Sequence, residues 1–413
     1  MRKDFNVGVV STGMVLPKKC YTNDDIIEKI RAATKDMSGI PELNSQWIEE
    51  NIWIKTRYFF AEDETLCDVS VKAVEQALAK AGWDPLDLDF VIFSSSSSHA
   101  DVYSIPSVAG RVQEQLRAFN AFAYDTSAAC SGWVYAMSQA VAFIESGIAG
   151  KGVVICAEKQ EMGMNFTDHR TSILIGDVAT ATLLQREETP KVSSLHMQAN
   201  DEKSLSSIIR LPFVARKDGK DLTYPFAEGE APALRVGYFA LDGRTVFKEG
   251  VMTMVTLTKQ ALMSNGLQVD DVDWFIYHQA NGAMLRMVGR KVGMKDERNL
   301  MNIQELANTT AGTIPSVLHM YIENGTIKRG DKVCCIAFGG GLTAGYFLFD
   351  YYILRAAVLR AGQLTLSRRT MCPQLVGGFF MSEIRSSAAA AVLSTPITFY
   401  FAHWLWFRLL QQQ

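Results

Sequence analysis

Cys130 is the residue whose sequence context points most directly to covalent chemistry. It lies in the small-residue segment AACSG, between an apolar strand-like stretch over 121–125 and a helical pattern over 134–144. A cysteine at the N-terminus of a buried helix feels the positive end of the helix dipole, which predicts a lowered thiol pKa. Its small neighbours leave room for a substrate carbonyl. The alternative is a buried structural cysteine, the commonest role of a free cysteine.

Two further polar side chains, His278 and Asn308, lie in short motifs of the second half of the chain. His278 opens HQAN directly after the strand-like segment 274–277, so it marks the carboxyl end of a strand, where sites on parallel sheets gather. Asn308 lies in ANTTAGTIP, a loop that leads into a helix. The alternatives are a histidine satisfied in the core and an asparagine that caps a helix.

A glycine-rich turn, FGGGLTAG (338–345), follows the apolar segment 333–337. Glycines allow close backbone approach and can aim N–H groups at an anion. The Lys-Ser/Thr ending of a phosphate loop is missing, and no GxGxxG follows the first predicted strand. The sequence therefore argues against a phosphate loop and a dinucleotide site.

The chain contains an internal repeat. QALAKAGWDPLDLDFVIF (76–93) matches QALMSNGLQVDDVDWFIY (260–277), and each predicts a helix that ends at a glycine, an acidic turn and a buried strand. A second pair of segments, 146–157 and 324–337, matches further along in the same order. Two matches favour duplication over a chance likeness between α/β units. Apolar strands that alternate with helices imply mostly parallel sheets covered on both faces.

Composition narrows the class of protein. The chain has 413 residues, a formal net charge of −3 and seven cysteines, without a CxxC pair. An odd number of unpaired cysteines predicts reduced thiols in the cytoplasm rather than a disulfide framework or a metal site. The balanced charge argues against nucleic acid as a partner.

Taken together and in order, these motifs resemble the active-site signatures of the β-ketoacyl-[acyl-carrier-protein] synthase III family. They are AACSG at Cys130, HQAN at His278, ANTTAGTIP at Asn308 and FGGGLT at Phe338. The resemblance spans roughly residues 5–350. Four signatures in the right order and spacing are far more specific than any one of them alone.

The resemblance implies an α/β fold, the thiolase-like duplicated αβαβα five-layer sandwich, followed by a C-terminal extension. The predicted divisions are an N-terminal half with the cysteine (1–185), a connecting segment (186–240), a C-terminal half with the histidine and asparagine (241–350), and an apolar extension without an assigned role (351–413).

The family's chemistry can be carried over residue by residue. Cys130 resembles the nucleophile that takes the acyl group, and His278 and Asn308 resemble the pair that holds the thioester oxygen of a malonyl-type partner as it loses carbon dioxide. An enolate forms in that step, and a neutral imidazole and a carboxamide can donate hydrogen bonds to it. The backbone N–H groups of Cys130 and Gly340 are expected to form the oxyanion hole for attack on the acyl-cysteine.

Further positions are expected to bind the substrate or its carrier. Trp47 matches a tryptophan that stacks on the adenine of coenzyme A, and Arg170 is the candidate for the opposite clamp. Ile105 occupies the place of a bulky aromatic residue in acetyl-selective members, so a longer or branched acyl chain is expected. The remaining candidate positions are Asn281, Arg286 and Phe338.

The chain departs from the family pattern near these positions. A basic residue is replaced by Asn51, a small-residue turn by the bulkier 52–54, and a carrier-docking arginine by Ala283. Arg286, Arg290 and Lys291, on the following predicted helix, are candidates to compensate for that arginine. These changes favour an enzyme fed by acyl carrier proteins, as in specialised metabolism.

The C-terminal extension has a different character from the rest of the chain. The span 386–407 has no Asp, Glu, Lys or Arg. At about 1.5 Å per residue a helix of this length could cross a bilayer. Membrane contact, a helix packed on the body or on a partner, and a non-native end all remain open.

The leading hypothesis is a decarboxylative Claisen condensation between an acyl thioester and a malonyl- or β-ketoacyl-carrier thioester, in fatty-acid or polyketide-type biosynthesis. The substrates would be coenzyme A or carrier-protein thioesters, without a bound cofactor, and the resemblance implies a homodimer. The alternatives are an acyltransferase to a hydroxyl or amine without decarboxylation, and an inactive partner subunit. Asn308 discriminates between the enzymatic alternatives, because simple transfer gains little from a donor aimed at an enolate.

Overall fold

A computed structural model describes residues 4–34, 43–98, 105–199, 209–210, 213–217, 220–222, 233–236 and 238–351. Apart from its first residue, the predicted extension 351–413, with the apolar span 386–407, lies outside these residues. Within the described ranges, no helix combines the length and apolar character that a bilayer crossing requires.

The described strands and helices follow one another from Val7 to Asp350. The strands are β1 (Val7–Val15), β2 (Lys19–Thr22), β3 (Thr56–Phe59), β4 (Phe90–Ser94), β5 (Phe122–Thr126), β6 (Lys151–Glu158), β7 (Val178–Arg186), β8 (Val192–Ala199), β9 (Ile209–Arg210), β10 (Phe213–Lys217), β11 (Lys220–Leu222), β12 (Ala233–Val236), β13 (Ala240–Leu241), β14 (Trp274–Tyr277), β15 (Asn299–Leu300), β16 (Lys332–Phe338) and β17 (Thr343–Asp350). The α-helices are α1 (Asn23–Ala33), α2 (Ser45–Asn51), α3 (Leu66–Ala81), α4 (Val108–Leu116), α5 (Gly132–Ser146), α6 (His169–Ser172), α7 (Gly243–Asn265), α8 (Gly282–Val292), α9 (Ile303–Leu306) and α10 (Thr313–Glu323).

Two five-stranded sheets with the same topology form the framework. The first has the order β1-β7-β6-β4-β5, and the second has the order β8-β17-β16-β14-β15. In both, the first two pairs of strands are antiparallel and the last two are parallel. The shared order and directions are what an internal duplication predicts.

The repeated helix-to-strand units lie where the sequence match placed them. Both α3 and α7 end at a glycine in the left-handed region, Gly82 with φ 66° and Gly266 with φ 67°, and a single acidic 3₁₀ turn then leads into β4 or β14. A side chain would strain this backbone, so glycine supplies the stop signal at both ends.

Five layers result from the way the helices cover the sheets. Helices α3 and α4 pack on the outer face of the first sheet, and α7 and α8 pack on the outer face of the second. Helices α5 and α10 fill the space between the sheets with side chains such as Trp133, Met137, Val317 and Leu318. Each fully buried side chain of this kind contributes about 1.5–3 kcal/mol. The αβαβα sandwich is therefore confirmed.

Two details differ from the expectation. The sheets are mixed rather than mostly parallel, because β7 and β17 return antiparallel beside β6 and β16. The predicted connecting segment 186–240 supplies β8, which pairs with β17 and completes the second sheet. A partly polar edge strand of this kind does not stand out from a linker in the sequence.

Candidate active site

Cys130 lies in a 3₁₀ turn over Ala129–Ser131, between β5 and the central helix α5. Ala129, just before it, has φ 47°, a left-handed conformation that is uncommon for a residue with a side chain. The turn places the cysteine after the end of β5 and directly before the first turn of α5. The small residues of AACSG are the ones that tolerate such a turn.

The second half contains a counterpart of this turn. A 3₁₀ turn over Thr310–Gly312 precedes α10, and Thr310 has φ 53°. The two turns approach each other closely, because a Cβ on Gly132 would lie 3.0 Å from the Cβ of Ala311. Equivalent turns of the two halves therefore meet at the centre of the molecule, with the cysteine on one of them.

The glycine-rich turn of the second half packs directly against the cysteine. A Cβ on Gly339 would lie 2.7 Å from the Cys130 backbone nitrogen and 3.0 Å from that of Ser131. The Ser131 hydroxyl donates to the Thr343 carbonyl at 2.9 Å, and the Thr343 hydroxyl donates to the Ala128 carbonyl at 3.0 Å. These bonds fix the position of the nucleophile across the two halves.

The Cys130 thiol is neutral at ordinary pH. Burial raises its pKa to about 12, and the nearby Glu158 carboxylate adds to the rise. The nearby backbone N–H groups of Cys130 and Gly340 lower the pKa, without offsetting the burial. The thiol pKa is therefore raised, whereas the sequence predicts a lowered one. The oxyanion hole formed by these two N–H groups stays a prediction.

Glu158, at the end of β6, is a fully buried carboxylate behind the cysteine. The Ser97 hydroxyl donates to it at 2.6 Å, the Gln160 amide at 2.8 Å and the Ala311 N–H at 3.4 Å, and Ser95 and Ser96 donate as well. Burial raises the pKa of this carboxyl group, and the donors act in the opposite direction. Through these hydrogen bonds the carboxylate, at the end of β6, connects the residues after β4 with the turn before α10.

We expect the Glu158→Gln variant to make the cysteine more reactive. Removing a negative charge beside the thiol lowers the thiol pKa, so the thiolate fraction at a given alkaline pH rises. Alkylation of Cys130 by iodoacetamide should become faster by on the order of tenfold. Peptide-resolved mass spectrometry over a range of pH measures this rate and separates Cys130 from the exposed Cys20.

The matched control is Glu187→Gln. This buried carboxylate follows the far end of β7, the strand whose first residue pairs with Glu158. Its removal should leave the alkylation rate of Cys130 unchanged. Equal rates in the wild type and in Glu158→Gln would contradict the charge effect.

His278 follows β14 and is 1% exposed. Its backbone N–H donates to the Ile336 carbonyl of β16 at 2.9 Å, which fixes it at the carboxyl edge of the second sheet. Its Nδ1 lies 2.8 Å from the Thr313 hydroxyl. Burial lowers its pKa to about 3, so the imidazole is neutral at physiological pH. Nε2 has no hydrogen-bond partner among the described residues.

Asn308 is held on both sides by backbone contacts. Its N–H donates to the Leu174 carbonyl at 2.9 Å, and its carbonyl accepts from Gly176 at 3.1 Å. The side-chain oxygen accepts from the Thr310 N–H at 2.9 Å. The side-chain amide N–H groups, without a partner among the described residues, are left as donors. Asn308 does not cap α10, whose N-cap is Gly312.

A cavity of about 300 Å³ brings Cys130, His278 and Asn308 together. Its other walls are mainly apolar and come from α2, α6, α7, α8 and the segments next to them: Ile52, Ile173, Leu174, Ile175, Phe239, Leu241, Val246, Phe247 and Met284. Phe338 also lines it, with its ring edge-on to His278 at a centroid distance of 6.0 Å. A few polar groups in an apolar pocket are typical of a small-molecule site.

Besides Phe338, three of the predicted binding residues line this cavity. Trp47 is 38% exposed, and Arg170 makes an ion pair with Asp168 at 2.8 Å. The Asn281 side chain also caps α8, where its oxygen accepts from the Ala283 N–H at 2.8 Å. Asn281 therefore has a structural role besides any contact with substrate.

Two predicted binding residues lie away from the cavity. Ile105 is 87% exposed and does not line it, so in a single chain it cannot limit the acyl chain. Arg286 lies over the ring of Trp53, with its guanidinium carbon 4.3 Å from the ring centroid, rather than at the cavity wall. Trp53 has φ 72°, which is a strained conformation for a bulky residue.

Neither Thr313 nor Glu158 was singled out from the sequence. For Glu158 a signal exists, since a carboxylate ends the apolar run VVICA and would otherwise be buried without a partner. Three of its donors, Ser95, Ser96 and Ser97, directly follow β4. For Thr313 the sequence offers no signal beyond its place in ANTTAGTIP.

The comparisons with known proteins agree with this geometry. Residues 124–201 match the family described as 3-oxoacyl-[acyl-carrier-protein (ACP)] synthase III, and residues 262–351 match its C-terminal region. The β-ketoacyl-[acyl-carrier-protein] synthase III of Methylococcus capsulatus is 32% identical over 344 residues, which cover 83% of this chain and 98% of the relative. That of Aquifex aeolicus is 33% identical over 343 residues, with coverage of 83% and 99%.

Solved structures give the same result. The crystal structure of the Aquifex aeolicus VF5 synthase aligns with a TM-score of 0.71 at 32% identity, over 84% of this chain and all of the other. That of the Thermus thermophilus synthase aligns with a TM-score of 0.70 at 29% identity. The chain therefore belongs to the β-ketoacyl-[acyl-carrier-protein] synthase III family of condensing acyltransferases.

Proposed function

We propose that this protein transfers an acyl group from a thioester donor to Cys130 and then condenses it with a malonyl-type carrier thioester, with loss of carbon dioxide. The observation that carries the proposal is the convergence of a thiol, a neutral imidazole and a free carboxamide on one apolar cavity. The thiol accounts for acyl transfer. The carboxamide and the imidazole account for decarboxylation.

In the first half-reaction the Cys130 sulfur attacks the carbonyl carbon of the donor. A carbon–sulfur bond forms at Cys130, and the bond to the donor sulfur breaks. The negative oxygen of the tetrahedral intermediate is held by the N–H groups of Cys130 and Gly340, which lie near the sulfur. Because the thiol is neutral, its proton must leave during the attack, and the proposed acceptor is Nε2 of His278, which lines the same cavity.

In the second half-reaction the malonyl thioester oxygen accepts hydrogen bonds from Asn308 and His278. The bond to the carboxylate breaks, carbon dioxide leaves, and the electron pair forms an enolate whose oxygen these donors stabilise. The enolate carbon then attacks the acyl group on Cys130, and the sulfur leaves as a thiolate that takes a proton from water. Because the pKa of His278 is low, the ring is neutral and acts on the enolate as a hydrogen-bond donor rather than as a positive charge.

Intact-mass spectrometry tests the first half-reaction. We expect the wild type to gain the mass of the acyl group when incubated with acyl donors of graded chain length, and we expect Cys130→Ala to gain none. The apolar walls of the cavity favour donors with a hydrocarbon chain. The donor that acylates fastest identifies the chain length.

Release of carbon dioxide from a malonyl-carrier thioester tests the second half-reaction. Acylation without this release would favour the acyltransferase that does not decarboxylate. The absence of an adduct with every donor would favour an inactive partner subunit. The free amide of Asn308 speaks against both alternatives, because neither needs a donor aimed at an enolate.

We propose carrier-protein thioesters as the main substrates. Trp47 and Arg170 flank the cavity as an adenine clamp would, but Asn51 supplies no charge there. Helix α8 carries Arg290 and Lys291 on its exposed last turn, where an acidic carrier could dock. Acylation rates with the same acyl group on coenzyme A and on a carrier protein compare the two donors directly.

We also propose that two copies pair along β5. This strand ends the first sheet, and Phe122 on it and Phe119 before it are 38% and 62% exposed. An unpaired edge with exposed aromatic rings favours association, and a two-fold axis there would join the two copies. Pairing would also cover Ile105. This residue lies just before α4, whose first N–H groups donate to Asp125 of β5. Sedimentation velocity measures the oligomeric state.

A further inference from the structure

Thr313 joins the two groups that would hold the thioester oxygen. Its hydroxyl lies 2.8 Å from Nδ1 of His278 and 3.0 Å from the carbonyl oxygen of Thr310. The N–H of Thr310 in turn donates to the side-chain oxygen of Asn308 at 2.9 Å. Thr313 is 1% exposed and is the only hydrogen-bond partner of Nδ1 among the described residues. A single buried network therefore orients both side chains.

The Thr313 hydroxyl has one hydrogen and two acceptors within reach. When the hydrogen points at the Thr310 carbonyl, the hydroxyl oxygen accepts from Nδ1–H, and Nε2 carries a lone pair. When the hydrogen points at Nδ1, the ring carries its proton on Nε2. The Thr310 carbonyl also accepts from the Thr313 backbone N–H, so it keeps a partner in both cases. Each tautomer is thus fully hydrogen-bonded at Nδ1.

We propose that Thr313 is a positioning residue whose hydroxyl lets one neutral imidazole serve both half-reactions, as a proton acceptor in acylation and as a hydrogen-bond donor in decarboxylation. The proposal rests on the proposed function and deepens it. The form with a lone pair on Nε2 suits the first step, because the Cys130 thiol must lose a proton. The form with Nε2–H suits the second step, in which the enolate oxygen needs a donor.

The protons balance over the cycle. In acylation the thiol proton moves to Nε2, and from there to the departing donor sulfur, so the ring returns to its neutral state. Before decarboxylation the ring gains one proton from water at Nε2 and loses one to water from Nδ1. In the condensation Nε2–H only donates a hydrogen bond, and the Cys130 thiolate takes its proton from water.

The test is Thr313→Val, which keeps the shape of the side chain and removes the hydroxyl. We expect both acylation of Cys130 and release of carbon dioxide to fall by about 10- to 100-fold, as for other residues that orient a catalytic histidine. Thr313→Ser restores the hydroxyl and should recover both rates. The matched control is Thr258→Val, another buried threonine on a helix, whose hydroxyl bonds Met254 and Tyr277.

Three results would overturn the proposal: wild-type rates in Thr313→Val, equal losses in Thr313→Ser, or equal losses in Thr258→Val. Nitrogen-15 NMR of histidine-labelled protein is a second measurement, which needs no variant at position 313 to fold. His278 locked in one tautomer, in both the free and the acylated wild type, would also overturn it. Failure of the proposed function looks different, because the wild type itself would then release no carbon dioxide.

Discussion

The Asn308→Asp variant is expected to lose decarboxylation while it keeps acylation. The carboxylate cannot donate a hydrogen bond, and its charge repels the enolate that forms beside it. Removing one such donor typically slows the chemical step by about 100- to 1000-fold. The oxygen of the new side chain can still accept from the Thr310 N–H, as the asparagine does at 2.9 Å, so the local fold should be retained.

Two measurements separate the half-reactions in this variant. Release of carbon dioxide from a malonyl thioester should fall, whereas the mass adduct on Cys130 should form at close to the wild-type rate. The control is Asn324→Asp, which adds the same charge at an exposed position where the side-chain oxygen accepts from Thr326. Parallel losses of both half-reactions in Asn308→Asp would contradict the assignment of Asn308 to the enolate.

The Gly339→Ala variant is expected to lose both half-reactions. The Gly339 backbone is extended, with φ −158°, a conformation that alanine also adopts. The expected loss therefore comes from lack of space for the added carbon, not from backbone strain. The added carbon would lie 2.7 Å from the Cys130 nitrogen, and backbone atoms cannot move aside as a flexible side chain can. The turn and the nucleophile must separate. A displacement of about 1 Å can cost about 100-fold in rate.

Gly341→Ala is the comparison within the same turn. An added carbon meets nothing within 4 Å there, although φ 71° makes alanine less favourable by about 1–2 kcal/mol. The rate of adduct formation on Cys130, with a thermal melting curve for each variant, distinguishes a lost site from a lost fold. Full acylation by a folded Gly339→Ala would show that the close packing is not needed.

Much of this site could be predicted because its residues lie in short local motifs. Cys130 and His278 each follow an apolar strand, and Asn308 lies in a short motif that leads into a helix. The repeat between 76–93 and 260–277 indicates that the strands belong to equivalent sheets. A duplicated fold brings such strand ends together, and the loop motif marks Asn308, so local signals were sufficient for the fold and for the three central residues.

What the sequence could not predict depends on contacts between distant segments. The direction of the Cys130 pKa shift follows from burial and from Glu158, which reaches the site from another strand. The exposure of Ile105 and the stacking of Arg286 on Trp53 follow from side-chain directions that spacing alone does not specify. The place of β8 in the second sheet depends on pairing with β17, about 150 residues later.

The paired turns before α5 and α10 show that the likeness of the two halves extends to the backbone of the site. Ala129 and Thr310 hold the same left-handed conformation at equivalent places, although only the first turn carries a cysteine. One backbone bend thus serves two purposes: in the first half it presents the sulfur, and in the second half it leads from Asn308 into the helix that carries Thr313.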